Sequence, residues 1–129
     1  MAQQYALLHE VHYLLSRAGL VVGLVMLGFA IYIGLIRHGD VTRTFRHGVY
    51  AVVALMVVES LVGLAIYFMG FRPSEEVHLI YGMGAVLALP FFVYVEATAK
   101  KRPAMGSYIW GFSLMAAIIV RSIMTGTAG

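Results

Sequence analysis

The residues able to do chemistry lie in two short stretches. Leu8-His9-Glu10-Val11-His12-Tyr13 opens the first long apolar run, and Glu75-Glu76-Val77-His78-Leu79 opens the third. Each sets an imidazole one residue after a Val and two after a Glu. One histidine at the mouth of an apolar helix is ordinarily a solvated residue. Two matched ones on helices that face each other offer a pair of neutral donors to a single metal ion. His9, three residues before His12 and on nearly the same helical face, is a third imidazole: a supporting partner, an alternative ligand or an exposed side chain. With Glu76 nearby, His9, His12 and His78 also outline a zinc or copper site. The chain has no cysteine, which excludes disulfides, thiolate clusters and c-type haem attachment. Any metal must be held by His, Met or carboxylate.

Two further ionisable residues interrupt apolar runs. Glu59 falls ~20 Å along a helix from Arg46, where a carboxylate must face other helices rather than hydrocarbon. It could handle a proton, contact a quinol, pair with Arg121, or stand protonated in a hydrogen bond to a neighbouring helix. Arg121, near the end of the fourth run, either snorkels to headgroups or forks a carboxylate such as a haem propionate. Glu10, Glu75 and Glu76 sit at helix starts, where the helix dipole favours negative charge. His38 and His47 flank a basic link and read as headgroup contacts. Tyr5, Tyr13, Tyr81, Tyr108 and Trp110 suit interfacial belts or packing equally, and the eight methionines read as gap fillers.

The elements that must position these groups follow from composition. With 129 residues, 61% hydrophobic and 12% charged, the chain reads as a single all-α integral membrane domain. Four apolar runs predict helices at about 7–36, 47–68, 75–98 and 104–124, forming an up-down four-helix bundle. Gly39-Asp40 predicts a turn, Ser74 an N-cap two residues ahead of Glu76, and Pro90 a kink in the third helix. The tail from Thr125 to Gly129 is expected to be loose. No basic leader or small-residue cleavage site precedes the first helix, so that helix is expected to remain.

A net charge of +3 could suggest nucleic acid in a soluble protein, but the basic residues concentrate in two links, so no nucleic-acid partner is expected. Arg37, Arg43, Arg46, Lys100, Lys101 and Arg102 lie on one side, with only Arg72 in the loop on the other. The positive-inside rule then predicts a multi-pass protein of the cell (inner) membrane, with cytoplasmic basic links and both termini outside.

Depth can be reckoned from the helical rise. His12 lies ~38 Å up helix 1 from Arg37, His78 ~32 Å up helix 3 from Ala99, and Arg121 ~27 Å up helix 4 from Pro103. Tilt of the long first helix absorbs most of the difference. Helices 1 and 3 are the natural diagonal pair, able to span the bundle centre. Below His12 the inward rows carry Ser16, Gly19 and Gly23, and below His78 they carry Gly82, Ala85 and Leu89. Such small residues let helices pack closely, or leave room for a flat macrocycle.

The run Glu10-Val11-His12-Tyr13-Leu14-Leu15-Ser16-Arg17-Ala18-Gly19-Leu20 resembles the haem-bearing helix of haem A synthases. Glu59-Ser60-Leu61-Val62-Gly63 and Val77-His78-Leu79 are similar to the next two helices of one half of such a protein. In that family each four-helix half holds a haem between histidines on alternate helices at the outer side. The resemblance implies the same role for His12 and His78. His9 stands where the family has a Glu, Tyr13 where an Arg commonly follows the ligand, and the histidines lie on helices 1 and 3 rather than 2 and 4. Haem binding is therefore the implied property, not haem oxidation.

The expectation is a membrane b-type cytochrome that carries single electrons, with quinol or quinone as an exchange partner. His12 and His78 would be axial ligands, Arg121 the propionate partner, and Gly19 and Gly82 the small residues beside the macrocycle. His9 and Glu59 would lend outer support or handle protons. Two alternatives stand beside it: a non-catalytic subunit of a larger respiratory or photosynthetic complex, and a small proton-coupled transporter built on Glu59. In each case the chain would sit in the lipid bilayer as a homo-oligomer or as part of a larger assembly.

Overall fold

The computed structural model describes residues 2–73 and 75–126. Ser74, the expected cap, and Thr127, Ala128 and Gly129 of the tail lie outside the described residues. The described chain is all-helical: α1 (Ala2–Ile31), α2 (Arg43–Phe68), α3 (Val77–Ala97) and α4 (Gly106–Gly126). All four are long and apolar enough to cross a membrane. α1 takes up Gln3 and Gln4, which the sequence places ahead of the helix, and ends in a π-helical turn, Tyr32–Ile36. His38 then adopts φ 54°, so the left-handed residue that reverses the chain is the histidine before Gly39-Asp40.

α2 begins four residues earlier than its apolar run suggests. The Thr42 hydroxyl accepts the Phe45 N–H at 3.1 Å and caps the helix, drawing Arg43 and Arg46 into its first turn. At the other end Gly70 takes φ 96°, and the Phe71 N–H reaches back to the Ile66 carbonyl, a stop that a side chain at Gly70 would strain. α3 starts at Val77, two residues after the expected Glu75, and runs on through Pro90.

α1 packs on α2 and α4, and α3 packs on the same two, so α1 and α3 face each other diagonally. Packing is closest between α3 and α4 and loosest between α2 and α3. The core is built from inward rows spaced three and four residues apart. α2 supplies Phe45, Val49, Val52 and Met56, and α4 supplies Tyr108, Phe112, Met115 and Ile119, all buried. Large apolar side chains cover the outside as well; Phe29, Leu61, Ile80, Phe91 and Trp110 are all more than half exposed. Hydrocarbon matches such a surface, and water does not.

The end carrying the basic links is closed by polar contacts. Glu96, 3% exposed, accepts from Arg46 at 2.6 Å, Tyr108 at 3.2 Å and Arg102 at 3.4 Å, joining α2, α3 and α4. Asp40 Oδ1 accepts the N–H groups of Val41 and Ala104, both at 2.8 Å, tying the first link to the third. Glu96 has the inward position because it continues the α3 row of His78, Gly82, Ala85 and Leu89.

Candidate functional site

Toward the other end the same rows change character. The α1 row ends in Ser16 and His12, the α2 row in Glu59 and Gly63, the α3 row in Gly82 and His78, and the α4 row in Ser122 and Gly126. α2, α3 and α4 thus each deliver one polar residue and one glycine to a common level, and α1 delivers a serine and a histidine. Bulky core residues stop there, and the space left is a cavity of about 640 Å³ with walls from all four helices.

The two imidazoles meet in this cavity. Their ring centroids are 6.1 Å apart and their planes stand at 84°. The Nδ1 of each ring is engaged by an acceptor. His78 Nδ1 donates to the Ser122 carbonyl at 2.7 Å, with the Ser122 and Thr125 hydroxyls at 3.3 and 3.4 Å. His12 Nδ1 lies against Glu59 Oε1. Glu59 is 5% exposed, and neither of its oxygens has another partner among the described residues. The pairing the sequence allowed between Glu59 and Arg121 is replaced by Glu59 with His12. Because Nδ1 is occupied on both rings, Nε2 is the nitrogen left to coordinate.

Glycines set the rings' positions. A Cβ on Gly63 would come within 3.0 Å of the His12 Cε1, and a Cβ on Gly126 would collide with the His78 ring. A Cβ on Gly82 would meet nothing within 4 Å, since that wall faces open space. Gly19 is placed elsewhere: it is buried, and its missing side chain makes room for the Met56 sulfur. It serves helix packing and does not line the cavity. Arg121 is exposed and outside the lining, its guanidinium 6.0 Å from the Tyr81 ring centroid. His9 is exposed at the cavity rim, its ring tilted against Tyr5 at 5.6 Å. Among the described residues no three of His, Cys, Asp and Glu gather as a metal-ligand group, so the zinc or copper set of His9, His12, His78 and Glu76 is not assembled.

Ser122, Gly63 and Gly126 were missed by sequence reasoning, as were two cations in the lining, Arg17 and Arg72. The signal for the first three was present: Phe45, Val49, Val52, Met56, Glu59 and Gly63 form one row, and Tyr108, Phe112, Met115, Ile119, Ser122 and Gly126 another. Extending the row analysis from α1 and α3 to the other two helices finds them.

The arrangement offers two imidazoles in one largely apolar cavity, their ring centroids 6.1 Å apart, one with a carboxylate behind its Nδ1 and the other with a peptide carbonyl. That set can hold an ion whose remaining ligands come from a bound group rather than from the protein. No protein-family model, curated protein or solved structure matches the chain.

Proposed function

We propose that the protein is a membrane b-type cytochrome in which His12 and His78 ligate one haem iron from opposite sides, for one-electron transfer with quinol as an exchange partner. The observation that carries this reading is the 6.1 Å between ring centroids. A metal–imidazole bond of ~2.0–2.1 Å plus about 1.1 Å from nitrogen to ring centre, taken twice, gives about 6.3 Å for two rings sharing one ion. Two protein ligands suffice because the macrocycle supplies four nitrogens in its own plane.

The remaining geometry supports the same reading. The glycine and serine positions leave a slot of the right character for a flat apolar ring, and the Nδ1 acceptors fix both imidazoles in the tautomer that presents Nε2. Carboxylate on one ligand and carbonyl on the other tune the iron's potential, and burial in an apolar bundle tunes it further. The four apolar helices sit in the bilayer with the basic links on the cytoplasmic side, and both termini and the histidine pair outside. The likeness to one half of a haem A synthase points the same way.

The test is an absorption spectrum of the purified, detergent-solubilised chain. A Soret band that is lost in both His12→Ala and His78→Ala is expected. Protein isolated colourless, whose titration with haemin never converts the free-haemin spectrum to a low-spin bis-imidazole one, refutes the proposal.

A further inference from the structure

The cavity carries two guanidiniums that the histidine pair leaves unused. Arg17, half-buried on α1, has its guanidinium carbon 3.7 Å from the Tyr13 ring centroid, and its Nη1 donates to Ser16 Oγ at 3.1 Å. Arg72, just beyond α2, lies 3.8 Å from the Tyr67 ring centroid and donates to the Tyr67 carbonyl at 2.6 Å. Both arginines line the cavity. Tyr13 adjoins His12 in sequence, and Tyr67 stands one turn, ~6 Å, beyond Gly63, which abuts the His12 ring. Arg17 lies five residues, ~7.5 Å, to the core side of His12 along α1, and Arg72 lies past the last residue of α2, so the cations come from the two helices that also carry His12 and Glu59.

Neither has a carboxylate within 4.0 Å among the described residues; the ion pairs there engage His12, Arg46 and Arg102. An aromatic face steadies a guanidinium without neutralising it. Arg17 lies inside an apolar span, where an unpaired guanidinium is costly and calls for an anion, while Arg72 is exposed beyond the end of α2. Two cations in the lining of a largely apolar cavity match an amphiphile with a flat body and two carboxylates. A guanidinium fork binds a carboxylate through two parallel hydrogen bonds.

We infer that Arg17 and Arg72 anchor the two carboxylates of the ligand that His12 and His78 hold, which are the propionates if that ligand is haem; the inference rests on the cytochrome reading. Arg121, assigned that role from sequence, lies outside the lining and takes no part.

The test uses the full chain purified without haem in detergent and titrated with haemin and with haemin dimethyl ester, which keeps the iron and the macrocycle but carries no carboxylate. Wild type is expected to bind haemin with a low-spin bis-imidazole Soret spectrum and to bind the ester ~100-fold more weakly. Arg17→Gln and Arg72→Gln should each weaken haemin binding by about 10-fold while barely changing the ester. Arg121→Gln should leave both unchanged. Equal wild-type affinity for haemin and ester overturns this inference and leaves the histidine ligation standing. If neither ligand yields the low-spin bis-imidazole spectrum, both this inference and the histidine ligation fall. The wild-type comparison decides the matter even if a variant fails to fold.

Discussion

Gly82→Leu isolates the cavity from everything else that holds the bundle together. A Cβ at Gly82 meets nothing within 4 Å, so the first atom added causes no clash. Replacing a mid-helix glycine removes its propensity penalty of about 0.8–1.0 kcal/mol, and leucine gains further apolar burial against the cavity wall. The ligand-free protein should therefore melt no lower than wild type. The slot between the imidazoles spans 6.1 Å from centroid to centroid, which leaves a macrocycle no spare thickness for a branched side chain beside it. Forcing both into the same space costs ~1–3 kcal/mol of overpacking, or about 5- to 150-fold in haemin affinity. Gly28→Leu is the matched control: its Cβ also meets nothing, it has the same helical benefit, and it lies on the exposed outside of α1. The assay pairs thermal unfolding of the haem-free chain in detergent with a haemin titration followed at the Soret band. If Gly82→Leu binds haemin as tightly as wild type at an unchanged melting temperature, the cavity is not where the ligand sits.

Other outcomes follow from single contacts. Glu59→Gln should keep the fold but weaken haemin binding by ~10- to 100-fold, the usual effect of losing a carboxylate behind a ligating histidine; unchanged affinity would mean that the carboxylate does not support His12. Glu96→Gln should lower stability by about 1–2 kcal/mol in detergent unfolding, less than the ~3–5 kcal/mol of a fully buried broken pair, because Arg46 and Arg102 keep 38% and 47% side-chain exposure. Haem binding at the far end should be unaffected. Asp40 titrates below its usual 3.8, chiefly because its carboxylate accepts the Ala104 N–H. A depressed folded value means stability that is fully present above 3.8 and lost as pH falls through the lower, folded value. Melting followed from about pH 6 down to about pH 2 should show that acid loss, and Asp40→Asn should flatten part of it.

What the helices are was legible from the chain, because an apolar run of about 20 residues with punctuating Gly, Pro and Arg admits few other structures. The opposed histidines were legible too, since Val-His at the mouths of the first and third runs, with small residues below, sets their face and depth. Helix starts were less so. Thr42 caps α2 ahead of its apolar run, and a cap acts through one hydrogen bond that hydropathy does not register.

Partners across the bundle belonged to the tertiary structure alone. Nothing in the chain's order says that Glu59 meets His12 rather than Arg121, that Ser122 holds His78, or that Glu96 gathers Arg46, Arg102 and Tyr108. Periodicity fixes which way a side chain points from its own helix. The relative rotation and sliding of neighbouring helices decide what it reaches, and those are set by how Met56 fills the space at Gly19 and how the Phe92 side chain packs against Gly111.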